Sequence, residues 1–253
     1  MGRAGVVLPV MLLILTGGIG FLTWDDMAKH RFRFRRYRMQ SKVILTATAL
    51  LVLLPAAIFF LGDFAGFGGK ERFLASLFQA VTPRTAGFNT VDMGNLTSAG
   101  RAMTVLLMLV GGAPGSTAGG VKTTTVAVLL ANAAAVIRRR KTPPAVQSAH
   151  RRGHGQVRVH PADALSLLVL LGAFLLSAAE GLPFGTCLFE TASAIGTVGL
   201  SLGITPFLEA LSRGVLIGLM FFGRVGALTL LFAAVGSAVA TVAQYPLGRI
   251  NVG

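Results

Sequence analysis

Val81-Thr82-Pro83-Arg84-Thr85-Ala86-Gly87-Phe88-Asn89-Thr90 returns later in the chain as Ser193-Ala194-Ile195-Gly196-Thr197-Val198-Gly199-Leu200-Ser201. In both copies a Thr-x-Gly-apolar core follows an apolar segment too short to cross a bilayer. Backbone that leaves a helix at membrane depth must find partners for its polar groups. It is tolerated only where it is buried in protein or lines water. Two such breaks in one hydrophobic chain predict an ion path.

The composition agrees with a membrane protein. Of 253 residues, 53% are hydrophobic and 13% charged, about half the charged share of an average soluble domain. The net charge of +14 is concentrated in two runs. One is Lys29, Arg31, Arg33, Arg35, Arg36, Arg38 and Lys42; the other is Arg138, Arg139, Arg140, Lys141, Arg151, Arg152 and Arg158. Such runs suggest nucleic acid, but each lies between apolar spans. The excess of Lys and Arg in cytoplasmic loops explains them better, so 29–42 and 138–160 read as cytoplasmic and no nucleic-acid partner is expected. A single cysteine, Cys187, excludes an intrachain disulfide. His30, His150, His154 and His160 lie in or beside the basic loops, without acids at metal-ligand spacing. No catalytic constellation and no resident metal site is expected, so the chain reads as a non-enzyme.

Gly5 to Trp24 has the length of one crossing. It is followed by a basic run rather than a cleavage site and mature domain, so it reads as a membrane helix with its N-terminus outside, not as a signal peptide. Val43 to Leu61 returns outward, with a kink expected at Pro55. Glu71 to Pro83 reaches only about 20 Å against a hydrocarbon core of about 30 Å. It therefore reads as a re-entrant half-helix, with Thr85 to Asn89 as its return. Thr97 to Val110 and Val121 to Ile137 read as one crossing broken by Gly111-Gly112-Ala113-Pro114-Gly115-Ser116-Thr117-Ala118-Gly119-Gly120, a form known in transport proteins. Thr142 to His160 reads as a linker, Ala164 to Ala179 as a crossing, and Phe184 to Ala194 as the second half-helix. Leu211 to Val242 is the last span, with an interruption expected at Phe222-Gly223-Arg224-Val225-Gly226. The chain thus divides into 1–40 (a helix plus basic loop), a pore unit at 41–141, a linker at 142–160 and a second pore unit at 161–253.

A dehydrated cation needs oxygen ligands in place of its water shell. Rings of backbone carbonyls supply them in potassium filters, and glycine permits the turns required. Thr85, Ala86, Gly87 and Phe88, with Thr197, Val198, Gly199 and Leu200, are the candidate filter residues. The C-terminal ends of the half-helices before them favour a cation. Arg84 and Glu190 lie beside the filters. Charge at that depth is expensive, and both read as structural supports, because the ion ligands should be carbonyls. The run Gly111 to Lys122 resembles a phosphate-binding loop, with Gly115 and Gly120 at the required spacing, but Val121 intervenes before Lys122-Thr123 and puts the pattern out of register. A small polar segment under a filter reads better as a constriction, with Ser116, Thr117, Thr123 and Thr124 as hydrogen-bonding groups and Lys122 as a movable charge. Arg224, deep in the last span, needs partners there. The carbonyls of the glycine break are suitable ones; an ordinary helix-to-helix contact is the alternative.

Together these stretches resemble the Trk/Ktr potassium-transport family, closest to the Ktr-type membrane subunit. The matching residues are Thr82 to Thr90, Gly111 to Thr125, Phe189 to Ser201 and Phe222 to Gly226. The resemblance implies an all-α membrane fold of M1–P–M2 units, four of which surround one pore. Gly87 and Gly199 would be filter glycines of the third and fourth units, supported by Arg84, Asn89, Glu190 and Ser201. The gate would be an intramembrane loop containing Gly111, Gly112, Gly115, Ser116, Thr117, Gly119, Gly120 and Lys122, contacted by Arg224. It also implies potassium as the transported ion, sodium as an activator, no covalent cofactor, a homodimer, and a cytosolic nucleotide-binding regulatory subunit. The location implied is the bacterial cytoplasmic membrane.

Only two complete units are visible. Gly17-Gly18-Ile19-Gly20-Phe21 and Trp24-Asp25-Asp26 resemble the last helix of a preceding unit. Two sides cannot close a four-sided pore, so the chain is expected to be the C-terminal half of a split or truncated transporter. The alternative is a non-conducting remnant or anchor whose basic loops bind a regulatory partner or anionic lipid.

Overall fold

The computed structural model describes residues 4–31, 33–137 and 161–225. These form helices α1 (Ala4–Gly18), α2 (Phe21–His30), α3 (Met39–Leu61), α4 (Gly69–Val81), α5 (Ser98–Leu109), α6 (Thr123–Ile137), α7 (Pro161–Glu180), α8 (Phe184–Ile195) and α9 (Ala210–Val225). Among the described residues there is no strand, only an isolated parallel bridge between Val110 and Val121.

The two repeats fold alike. In the first, α3 packs on the short α4; in the second, α7 packs on the short α8. α3 has 23 residues and is long and apolar enough to cross a membrane. It is continuous through Pro55. α4 and α8 have 13 and 12 residues, or about 18–20 Å of rise, so they enter without crossing. Their faces are sorted as a pore helix requires. Ala75, Phe78, Ala80 and Val81 are buried on α4, and Cys187, Phe189, Ala192 and Ile195 on α8. Large apolar residues such as Leu50, Leu53, Leu167 and Phe174 instead face outward, as on a surface solvated by lipid.

The units meet where α5 packs on α8. A shared core of Phe59, Phe64, Met108, Leu176, Phe189 and Ile195 runs through this contact. Asp63, just beyond α3, accepts a hydrogen bond from Thr97 N at 2.7 Å and so ties the first outward helix to the start of α5. α9 packs against both α7 and α8. At Gly223 a Cβ would lie 1.9 Å from Ile195 O, so the absent side chain lets α9 touch the end of the second pore helix.

Two expectations need correction. Gly5 to Trp24 is not one straight crossing: α1 and α2 bend by 97° at the Gly18–Phe21 junction. Gly20, at φ 79, makes the turn there. Nor is the last helix interrupted at Phe222 to Val225, which are helical. Gly223 serves close packing rather than a break, and Gly226 lies outside the described residues. So do the linker 142–160 and the second basic run, Arg138 to Arg158.

Candidate functional site

α4 and α8 each run directly into a Thr-x-Gly loop, and the two loops share an unusual backbone. Among the described residues the only non-glycine positions with positive φ are Arg31, Thr85 (63°) and Thr197 (52°). The glycines two residues on, Gly87 (72°) and Gly199 (91°), are also left-handed. A β-branched residue in this region is a genuine outlier, and it persists only where the surroundings enforce it, at a cost of about 1–3 kcal/mol. It occurs at matched threonines of both repeats, Thr85 and Thr197. The sign of φ alternates through Thr-x-Gly, which lets successive carbonyls turn toward one side.

Braces hold each loop. Ala86 N and Gly87 N donate to Thr82 O at 3.3 and 3.2 Å, while Thr82 Oγ1 donates to Phe88 O at 2.6 Å. In the second loop, Val198 N donates to Ser193 O at 2.9 Å and Gly199 N to Ser193 Oγ at 3.2 Å. Thr82 and Ser193 are supports that the sequence reading did not single out. Their signal was a hydroxyl close to the end of each short helix, just before the Thr-x-Gly run.

The loops face one another. A Cβ on Gly87 would stand 2.0 Å from Val198 O, whereas one on Gly199 would meet nothing within 4 Å. Gly199 looks into a cavity of about 820 Å³, lined among others by Asn89, Asp92, Glu190, Ser193 and Met220. The first loop is thus closed by its neighbour, and the second is open on its far side.

Glu190 is buried and fully engaged. Its Oε1 accepts from Ser201 Oγ and Leu202 N, both at 2.8 Å, and its Oε2 from Thr205 Oγ1 at 2.8 Å. It clamps the chain leaving the second filter. Arg84 is 6% exposed, and its Nε and Nη2 have no hydrogen-bond partner among the described residues. Asn89 is exposed on the cavity wall and makes no hydrogen bond among the described residues.

The glycine-rich break between α5 and α6 is a pinched loop. Gly111 N donates to Val121 O (2.8 Å), Val121 N to Leu109 O (3.3 Å) and Thr123 N to Gly112 O (3.0 Å). Inside the loop, Ser116 Oγ donates to Ala113 O and Lys122 Nζ to Ala118 O, both at 2.6 Å. The loop touches the second filter: a Cβ on Gly119 would lie 2.2 Å from Thr197 Oγ1. Arg224 Nη1 donates to Thr117 O at 3.1 Å, so the arginine does meet a loop carbonyl. Gly115 and Gly120 supply left-handed turns. The structure therefore brings the candidate gate, the second filter and Arg224 together.

Paired short half-helices, left-handed Thr-x-Gly loops and a glycine-rich loop packed against them define a channel-like membrane fold. The family model described as TrkH, cation transport protein, matches residues 3–239, and the chain belongs to that family. It is 36% identical to the Ktr system potassium uptake protein B of Bacillus subtilis, over 100% of this chain and 58% of that protein. It is 34% identical to the potassium/sodium uptake protein NtpJ of Enterococcus hirae, over 95% of this chain and 55% of that one. Among solved structures, the potassium transporter TrkH from Vibrio parahaemolyticus superimposes with a TM-score of 0.67 at 21% identity, covering 91% of this chain and 52% of that chain. That likeness supports the M1–P–M2 fold. The chain spans about half the length of the curated relatives it matches.

Proposed function

We propose that this chain forms two sides of a potassium-uptake pore in the bacterial cytoplasmic membrane, and that the ion passes between the Thr85–Phe88 and Thr197–Leu200 loops. The observation that carries this reading is the matched left-handed Thr and Gly in both loops, with Gly87 set against Val198 O. Carbonyls held in this way replace a hydration shell without reorganisation. Residues 111–120 and Lys122 form the gate, restrained by Arg224. Regulation by a cytosolic nucleotide-binding subunit, dimerisation and activation by sodium belong to the same reading and rest on the family resemblance.

The open side of Gly199 supports completion of the pore by filter-bearing segments from outside residues 1–253. The same observation favours the second reading, a non-conducting anchor, if nothing fills that side. The test is growth on limiting potassium of a bacterium lacking its own uptake systems. It would express this chain with a Ktr-type cytosolic subunit, alone and together with the N-terminal half of a Ktr-type membrane subunit. Rescue in either arm supports conduction and shows whether two units suffice. With the protein shown to be in the membrane, no rescue in either arm leaves the anchor reading.

A further inference from the structure

The glycine-rich loop is also held from the N-terminal side. The elbow between α1 and α2 docks on it, backbone against backbone. Ala113 N donates to Gly18 O at 2.9 Å and Phe21 N to Gly115 O at 3.3 Å. At Gly20, already left-handed, a Cβ would stand 2.8 Å from Pro114 O, so any side chain there would push the loop away. Ile19 and Ala113 are buried together with Ile44. Polar backbone groups paired in a low-dielectric setting are costly to separate, so elbow and loop move as one body.

The helix leaving the elbow is anchored at its other end. Asp26 is buried on α2. It accepts from Ser41 Oγ at 2.5 Å and Arg38 N at 3.1 Å, and Arg38 Nε lies 3.4 Å away. Trp24 Nε1 donates back to Thr16 O at 3.0 Å, bracing the bend. α2 therefore runs without slack from the glycine-rich loop to the basic segment 29–42 and the start of α3. Arg224 grips the same loop at Thr117 O.

We propose that α2 is a lever for the intramembrane loop. A force on the basic segment 29–42 tilts α2 about the Gly18–Phe21 elbow, and Gly18 and Phe21 carry residues 113–115 with them. Gly20 and Asp26 are its positioning residues. The lever rests on the gate assignment for its effect on flux, while its mechanical part is measurable without flux.

The test uses the full chain in membranes, in a Cys187→Ala background. A Cβ on Gly17 would lie 3.5 Å from Thr117 Oγ1, which sets the two side chains in contact, and Gly17 and Thr117 are both exposed. In Gly17→Cys/Thr117→Cys, oxidation is expected to give an intrachain crosslink, found by mass spectrometry, and to change potassium flux reversibly with reductant. Separately, single Thr117→Cys is reacted with a charged, membrane-impermeant maleimide. Adding Gly20→Ala or Asp26→Asn should change that rate by about fivefold, the size expected for losing one net backbone hydrogen bond. No crosslink, or a labelling rate unmoved by both substitutions, overturns the lever. So does a double-cysteine chain whose flux ignores the crosslink. If the Cys187→Ala parent shows no flux either alone or with the N-terminal half of a Ktr-type membrane subunit, the transport reading falls, and the crosslink and labelling rates still decide the lever.

Discussion

The carbonyl of Val198 occupies the place where a side chain on Gly87 would begin, 2.0 Å from the ideal Cβ position. This one relationship places the filters of the two repeats side by side. It also separates two glycines that are equivalent in sequence, because Gly199 has open space at the same position.

Gly87→Ala should therefore be worse than Gly199→Ala. Both force a side chain into positive φ, at roughly 1 kcal/mol or more, but only the first also displaces a filter carbonyl. The expected result is a larger loss of potassium-over-sodium selectivity for Gly87→Ala, read from competing ion fluxes. Equal effects would contradict the facing arrangement.

Arg224→Ala removes the donor to Thr117 O and frees one hold on the loop. Potassium flux through the assembled pore should rise, and its dependence on the regulatory subunit should weaken. Arg224→Lys should restore little, because a single ammonium lacks the planar fork of donors. Flux and regulation unchanged in Arg224→Ala would reduce the contact to packing.

Glu190→Ala leaves Leu202 N, Ser201 Oγ and Thr205 Oγ1 without their shared acceptor. Hydrogen bonds to a charged group are worth about 1.5–3 kcal/mol each, so the thermal midpoint in detergent should fall by several degrees. Glu190→Gln, which keeps one acceptor oxygen, should lie between Ala and the parent. An unchanged midpoint for Glu190→Ala would show that the clamp is not needed.

Arg84 gives the opposite expectation. A buried guanidinium whose Nε and Nη2 lack partners among the described residues costs free energy that a neutral side chain of similar size avoids. Arg84→Met should raise the thermal midpoint of this chain measured alone. The same substitution should destabilise a complex in which a carboxylate from outside the chain reaches that site. Comparing the two midpoints tests whether the arginine is held for a partner.

The repeat, the short pore helices and the broken span were legible because each rests on local properties of sequence. Apolar length against bilayer thickness set α4 and α8, and clustered glycines set the loop between α5 and α6. Two neighbouring readings failed for a shared reason. Gly18 to Gly20 lies inside an apolar run and looks like helix, but its partner is the loop around Pro114, nearly a hundred residues on. Gly223 looks like a breaker, but its partner is the carbonyl of Ile195. Glycine in a sequence states that a side chain is absent and does not say whether a turn or a neighbour needs the space.

By itself, the sequence determined that this is a membrane protein with two matched repeats built around short half-helices, because hydropathy and helix length are one-dimensional quantities. Only the tertiary structure decided which groups meet. It set Gly87 against Val198, the loop under Thr197, Arg224 on Thr117, and the α1–α2 elbow on that same loop. Those pairings depend on the directions of backbone carbonyls in space, which follow from the packing of α5, α8 and α9 and from no single stretch of residues.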